Sequence, residues 1–153
     1  MAATTGIFNG SQYTVMFDGV TPVIADHVTD LSVSVSTETR DTTTKNNGGY
    51  RAILPGLKSL TVNFTAYYAN DATNGYDELM TDFLAGTKQK VKVSSIDWDT
   101  AGQPPTPAEN TGDQRLTFDA YITSLELSAG TEDNASYTCT LECVSTITFE
   151  VIP

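Results

Sequence analysis

Residues 60–68 read LTVNFTAYY, in which Leu60, Val62, Phe64, Ala66 and Tyr68 alternate with Thr61, Asn63, Thr65 and Tyr67. Period-two alternation sends successive side chains to opposite faces of a strand, so this stretch reads as a strand with one buried face. The same period recurs at Leu31, Val33 and Val35, at Leu116, Phe118, Ala120 and Ile122, at Tyr137, Cys139, Leu141 and Cys143, and at Ile147, Phe149 and Val151. Tyr13 to Phe17 and Lys90 to Ile96 add two more segments, which makes about seven or eight strands. The 25 threonines suit pleated, half-exposed surfaces. The fold class is therefore mostly β, a sandwich or barrel-like core in one domain spanning residues 1–153.

One segment breaks this period. In residues 73–90, TNGYDELMTDFLAGTKQK, the apolar residues Tyr76, Leu79, Met80, Phe83 and Leu84 fall at helical spacing, which predicts an amphipathic helix over 72–86. Thr73 or Asn74 is placed to cap its start, Asp77 and Glu78 lie in the first turn, and Gly86 suits the left-handed position after its end. The stripe is expected to cover an open edge or end of the strand core. Two stretches read as long loops: 38–56, polar and turn-prone at Asn46-Asn47-Gly48-Gly49, and 97–114, which holds three of the six prolines. A tight turn at Ala129 to Asn134 is expected to join the strands around Leu125 and Tyr137 as a hairpin.

Eight Lys and Arg stand against 19 Asp and Glu, a formal charge of −11 and a pI near 4.2. That balance excludes binding to nucleic acid by phosphate neutralisation and adhesion to anionic membranes. The acids are unevenly spread: residues 93–153 hold only Arg115 against ten acids. The N-terminal stretch MAATTGIFNGSQYTVMF has neither a basic leader nor an apolar run, so synthesis in the cytoplasm without membrane insertion is expected. The N-x-[ST] matches at Asn9, Asn63 and Asn134 are read as chance.

No catalytic reading holds together. His27 is the single histidine and stands between Asp26 and Asp30 without a nucleophile partner, as expected of a solvated turn. Cys139 and Cys143 fall on one strand face about 13 Å apart, too far for a disulfide, and read as free buried thiols. No nucleophile elbow, dinucleotide or P-loop motif occurs. Asp97-Trp98-Asp99-Thr100-Ala101-Gly102 matches part of a calcium loop, then departs where Ala101 and Ala108 replace oxygen ligands. An accidental match is the favoured reading, with a loosely held Ca²⁺ among Asp97, Asp99, Glu109 and Asp113 as its alternative. The expectation is a protein that is no enzyme and needs no cofactor or metal.

The run ETRDTTTKNNGGYRAILPGLKSLTVNFTAYY, residues 38–68, followed by the helical segment YDELMTDFLAGTKQKVKV, resembles the major tail tube proteins of long-tailed bacteriophages and gene transfer agents. The pattern is an acid-Thr-Arg-Asp-Thr-Thr cluster, a Lys, a Gly pair, an aromatic, a Leu-Pro-Gly turn and an alternating strand. The resemblance implies a β core flanked by a helix, shared with inner-tube proteins of contractile tails and type VI secretion systems. It further implies hexameric rings stacked into a hollow tube in the virion tail, with tape-measure, terminator and baseplate proteins as neighbours. DNA would pass through the lumen without specific binding. The excursion 38–50 then corresponds to a loop reaching a neighbouring ring, with Thr39, Arg40, Asp41, Thr42, Thr43, Lys45, Gly48, Gly49 and Tyr50 as interface residues. Within it, Arg40 and Asp41 are expected to pair across subunits and Lys45 to meet an acid of the adjacent ring. Residues 97–114 have no counterpart in the pattern.

The acidity agrees with that implication, since six copies at −11 each would bring 66 negative charges to a ring and repel a passing genome. Two other readings compete. One is a monomeric β-sandwich module holding a carbohydrate or receptor through Trp98, Tyr50 or the calcium-like string. The other is a tail terminator, baseplate or secretion-tube relative of the same fold.

Overall fold

The computed structural model describes residues 10, 13–18, 22–70, 75–97, 106–107 and 114–152. Nine strands and one helix occur among them: β1 Tyr13–Asp18, β2 Pro22–Ile24, β3 Val28–Asp41, β4 Ile53–Tyr67, α1 Tyr76–Ala85, β5 Gln89–Asp97, β6 Thr106–Pro107, β7 Gln114–Ser128, β8 Ser136–Cys143 and β9 Thr148–Val151. Every strand pairing is antiparallel, and the main sheet runs β2-β1-β5-β7-β8-β4-β3, curled into a half-barrel. The mostly β class with one flanking helix is what the strand periodicity anticipates. Strands β2 and β6 were not foreseen, because two or three residues are too few to display a period.

The core lies in the concave side of the curl. Leu60, Val62, Phe64 and Ala66 of β4 meet Tyr137, Cys139 and Leu141 of β8, Leu116, Phe118, Ala120 and Ile122 of β7, and Val15, Phe17, Val91 and Val93 from β1 and β5. Phe64 sits at the centre, in edge-to-face contact with Phe17 and Tyr137, both centroid distances being 6.3 Å. Tyr76 extends this aromatic chain from Tyr137 to Tyr68. Each such pair adds roughly 0.5–1.5 kcal/mol beyond the area it buries.

Strand β7 organises the topology. Residues 116–120 pair with β5, residues 120–128 pair with β8, and β9 pairs with residues 114–117. Strands β8 and β9 therefore follow one another along β7, separated by a break at residues 144–147. The break keeps its backbone bonded: the Val144 amide donates to the Asp119 carbonyl, and the Asp119 amide donates to Ser145 Oγ, each at 2.8 Å. At the far end of β7 the expected hairpin forms, with Leu127 opposite Tyr137 and Ser128 opposite Ser136.

Helix α1 is shorter at its start than the expected 72–86. Its N-cap is Gly75, in extended conformation and without a side-chain capping bond, whereas Thr73 and Asn74 lie outside the described residues. Its end behaves as expected: Gly86 is left-handed at φ 65°, and the amides of Gly86 and Thr87 donate to the Phe83 and Asp82 carbonyls. The stripe is only partly absorbed by the core. The helix packs on β7, where Leu79 is buried and Tyr76 and Met80 are half-buried, but Phe83 and Leu84 face solvent.

Both cysteines are free, as expected, and both lie on the core face of β8. Burial pushes the Cys139 thiol up to about 12 and, together with the nearby Cys139 and Asp26, pushes the Tyr137 phenol up to about 12. For both groups the fold favours the neutral form. Their contribution to stability is therefore complete below the unfolded-chain values, near 8.5 for Cys and 10 for Tyr, and is lost as pH climbs toward 12. We expect the urea midpoint to hold between pH 7 and 8 and to fall steadily above pH 9. At pH 8 a thiol reagent should modify no more than one cysteine, Cys143, until the protein is unfolded. Rapid labelling of both thiols in the native state would contradict this burial.

Candidate assembly surface

Two features stand outside the core: a projecting arm and an exposed sheet face between two open edges. The arm is the distal part of the β3–β4 hairpin. Strand β4 pairs with β8 only over Thr61–Tyr67, so residues 53–60 run on with β3 as their one described partner. At about 3.3 Å per residue, this two-stranded ribbon extends about 26 Å beyond the sheet.

The expected loop 38–56 is therefore strand at both ends, over 38–41 and 53–56. Thr39, Arg40 and Asp41 belong to β3 and pair with Pro55, Leu54 and Ile53, leaving only residues 42–52 as the tip. The Leu-Pro-Gly run is not a turn; it accompanies a bulge in β4, where the register shifts between Thr37 and Thr39. Pro55 is tolerated because β4 has already parted from β8, so no sheet partner needs its missing amide. Gly56 is required by close approach. A Cβ added there would lie 3.1 Å from the Glu38 carbonyl oxygen, so the β3 backbone would have to give by a few tenths of an ångström.

The tip is held by short-range bonds. The Thr42 amide donates to the Ala52 carbonyl at 2.9 Å, and the Ala52 amide donates to Thr43 Oγ1 at 3.0 Å. The Thr43 amide donates to Asp41 Oδ1 at 2.8 Å, and Arg51 Nε lies 3.5 Å from Asp41 Oδ2. The Thr43 hydroxyl and amide, aided by Arg51, hold the Asp41 carboxyl below its ordinary range. Thr44 Oγ1 donates to Asn47 Oδ1, and the left-handed Gly48 and Gly49, at φ 61° and 87°, turn the chain back. Tyr50 then stands 81% exposed.

The nine residues singled out by the sequence thus share one arm. Within one copy Asp41 is engaged by its own hairpin, through the Thr43 amide and Arg51. Arg40 and Lys45 have no ion-pair partner among the described residues. What sequence reading missed is the apolar flank: Val35, Ile53, Leu54 and Leu57 are all exposed, Leu57 by 71%. The signal was present in Ile53-Leu54-Pro55-Gly56-Leu57, an apolar run with no helix or core to serve.

The exposed sheet face lies on β3, β4, β8 and the second half of β7. Cross-strand register sets it out in rows: Ser34, Thr61, Glu142 and Tyr121; Ser32, Asn63, Thr140 and Ser124; Asp30, Thr65, Thr138 and Glu126. Thr140 Oγ1 donates to Asn63 Oδ1 at 2.7 Å, and the hydroxyls of Thr65 and Thr138 meet at 3.3 Å. Three carboxylates and no Lys or Arg occupy these rows. The four-stranded sheet also has two open edges among the described residues, since β3 pairs only with β4, and residues 121–128 of β7 pair only with β8.

The expected calcium-like string and Trp98 fall outside the described residues apart from the backbone of Asp97. Among the described residues no group of three or more His, Cys, Asp or Glu is placed to hold a metal, and no helix is long and apolar enough to cross a membrane. His27 occupies an exposed turn at φ 57°, its carbonyl accepting from the Tyr67 amide.

The phage tail tube protein family model matches residues 24–149, which includes the arm, the helix and all four strands of the polar face. The chain belongs to the phage tail tube protein family. Solved structures share the fold of this tail tube protein at low identity. The tail of an empty gene transfer agent particle, refined with C6 symmetry, has a TM-score of 0.74 at 16% identity, covering 95% of this chain and 100% of that one. The SPP1 tail tube gives 0.68 at 13%, covering 95% and 80%. The six-fold symmetrised baseplate of the anti-feeding prophage gives 0.64 at 11%, covering 98% of each chain. No curated protein matches the sequence. A tail tube protein is a structural component of the virion tail, and its family role is not enzymatic.

Proposed function

We propose that six copies close into a ring, that rings stack into a hollow tube, and that the genome passes through its lumen. The observation that carries this reading is the four-stranded sheet with two open edges and a hydroxyl- and carboxylate-lined face. Strands β7, β8, β4 and β3 alternate in direction, so β3 of one copy meets β7 of the next in antiparallel sense, and ring closure pairs the edges that would otherwise invite aggregation. Six such sheets make a barrel of 24 strands. At about 4.8 Å between strands its backbone is roughly 37 Å across, and wider with strand tilt, which leaves space for a duplex.

The rows containing Asp30, Glu126 and Glu142 line that lumen, where like charge keeps the phosphate backbone from adhering. The arm then reaches an adjacent ring, with Thr39, Arg40, Thr42, Thr43, Lys45 and Tyr50 at the contact and Gly48 and Gly49 shaping the tip. Tape-measure, terminator and baseplate proteins are the partners this role requires, and assembly takes place in the host cytoplasm. The likeness to the anti-feeding prophage baseplate favours one alternative, a component that stops at a single ring.

The test is negative-stain electron microscopy of purified protein over a concentration series, with size-exclusion chromatography alongside. Hollow tubes with six-fold end views are expected. Single rings at every concentration would favour the baseplate-like alternative, and a monomer that forms neither rings nor tubes, even when seeded with tail tips, would overturn the tube reading.

A further inference from the structure

The arm and helix α1 present complementary surfaces that neither can satisfy within one copy's core. Residues 37–58 carry Arg40, Lys45, Arg51 and Lys58 against Glu38 and Asp41, a net +2, so the remainder of a chain at −11 stands at −13. Of those bases, Arg51 is held by Asp41, whereas Arg40, Lys45 and Lys58 have no ion-pair partner among the described residues. Beside them lie the exposed Tyr50, Leu54 and Leu57. The arm is thus both basic and apolar.

Helix α1 is both acidic and apolar. It contains no basic residue, its last turn holds Asp82, and Leu84 in the same turn is 77% exposed with Phe83 beside it. Glu78 and Asp82 have no ion-pair partner among the described residues. A carboxylate in the last turn is unfavourable, because the macrodipole places negative potential there and favours a cation. A bare Leu84 is a second defect. A basic, apolar partner corrects both at once. The turn at Glu132 and Asp133, also acidic and exposed, offers no large apolar side chain between Ala129 and Asn134 to cover the arm.

We infer that the arm of one copy seats on helix α1 of a second copy, in the adjacent ring. Arg40, Lys45 and Lys58 face Glu78 and Asp82, and Leu54, Leu57 and Tyr50 cover Phe83 and Leu84. This rests on the tube reading, and the experiment separates the two.

Three variants are compared with the unaltered protein by sedimentation of polymer and microscopy: Arg40→Glu/Lys45→Glu, Glu78→Lys/Asp82→Lys, and all four changes together. Each pair alone should lower sedimentable tube by at least about tenfold, since it opposes like charges across a contact. The fourfold variant, with the charges exchanged, should recover tubes. Circular dichroism checks the monomers, since Asp82→Lys complements the helix dipole whereas Glu78→Lys in the first turn opposes it. If either pair assembles undiminished, or the fourfold variant stays unassembled while the unaltered protein forms tubes, the docking is overturned. If the unaltered protein forms neither rings nor tubes, the tube reading itself fails.

Discussion

Replacing residues 37–58 by a two-residue Asn-Gly turn between Ser36 and Ser59 should leave a folded protein that no longer stacks into tubes. Ser36 and Ser59 are directly opposed, with their hydroxyls 2.6 Å apart, so a tight hairpin turn fits there. None of the deleted residues is buried, and the core begins one residue further in, at Leu60. The loss to stability should therefore be small, within about 1 kcal/mol, as for surface changes away from packed or capped positions. The loss to assembly should be complete, because the deletion removes the projecting ribbon with its tip and the exposed Tyr50, Ile53, Leu54 and Leu57. The proposed ring closure uses β3 and β7 inside the sheet, so single rings should persist. Size-exclusion chromatography and microscopy of the shortened protein provide the check. Tubes of ordinary length would show that the arm does not carry the stacking contact, and an unfolded product would show that the arm supports the core.

Phe64→Ala should be the most damaging single change to the monomer. The ring lies between Phe17 and Tyr137 at 6.3 Å from each, is 1% exposed, and sits on the strand that joins the arm to the core. Removing it forfeits the transfer free energy of the ring and leaves a cavity that β4, paired on both sides at this point with Leu31 and Cys139, cannot collapse to fill. Such substitutions cost about 3–5 kcal/mol, against a total of about 5–15 kcal/mol for a domain of this kind. Urea denaturation followed by fluorescence of the unfolding transition should show a midpoint reduced by a third or more, at an unchanged slope. A shift of less than about 1 kcal/mol would mean that the half-barrel relaxes around position 64. Tube yield should fall with it, since a partly unfolded pool competes with assembly.

The arm and the core thus answer to different measurements, and the distinction follows from their sequences. Along β3 one period-two pattern runs through Leu31, Val33 and Val35, yet Leu31 packs partly buried against the core whereas Val35 is exposed. Alternation reports which side chains share a face; it does not report whether anything lies against that face. Polar residues suggest one long loop over 38–56, but the strand pairing that makes its two ends, 38–41 and 53–56, a ribbon depends on contacts about 15 residues apart in sequence, such as Arg40 with Leu54. The helix shows the same limit in miniature: its apolar spacing identified Tyr76, Leu79, Met80, Phe83 and Leu84 together, and only the position of β7 decides that Leu79 is covered and Leu84 is not.

By itself, the sequence determined the β class, the helix with its glycine stop at Gly86, the free cysteines and the acidic balance, because each depends on local period, local backbone preference or simple charge. Tertiary structure decided three things. It placed β8 and β9 in tandem along β7, it aligned Asp30, Glu126 and Glu142 on one face with no base among them, and it left β3 and residues 121–128 of β7 as open edges. Those properties belong to register between strands distant in the chain, and register is fixed by which faces the core can bury, not by any one segment.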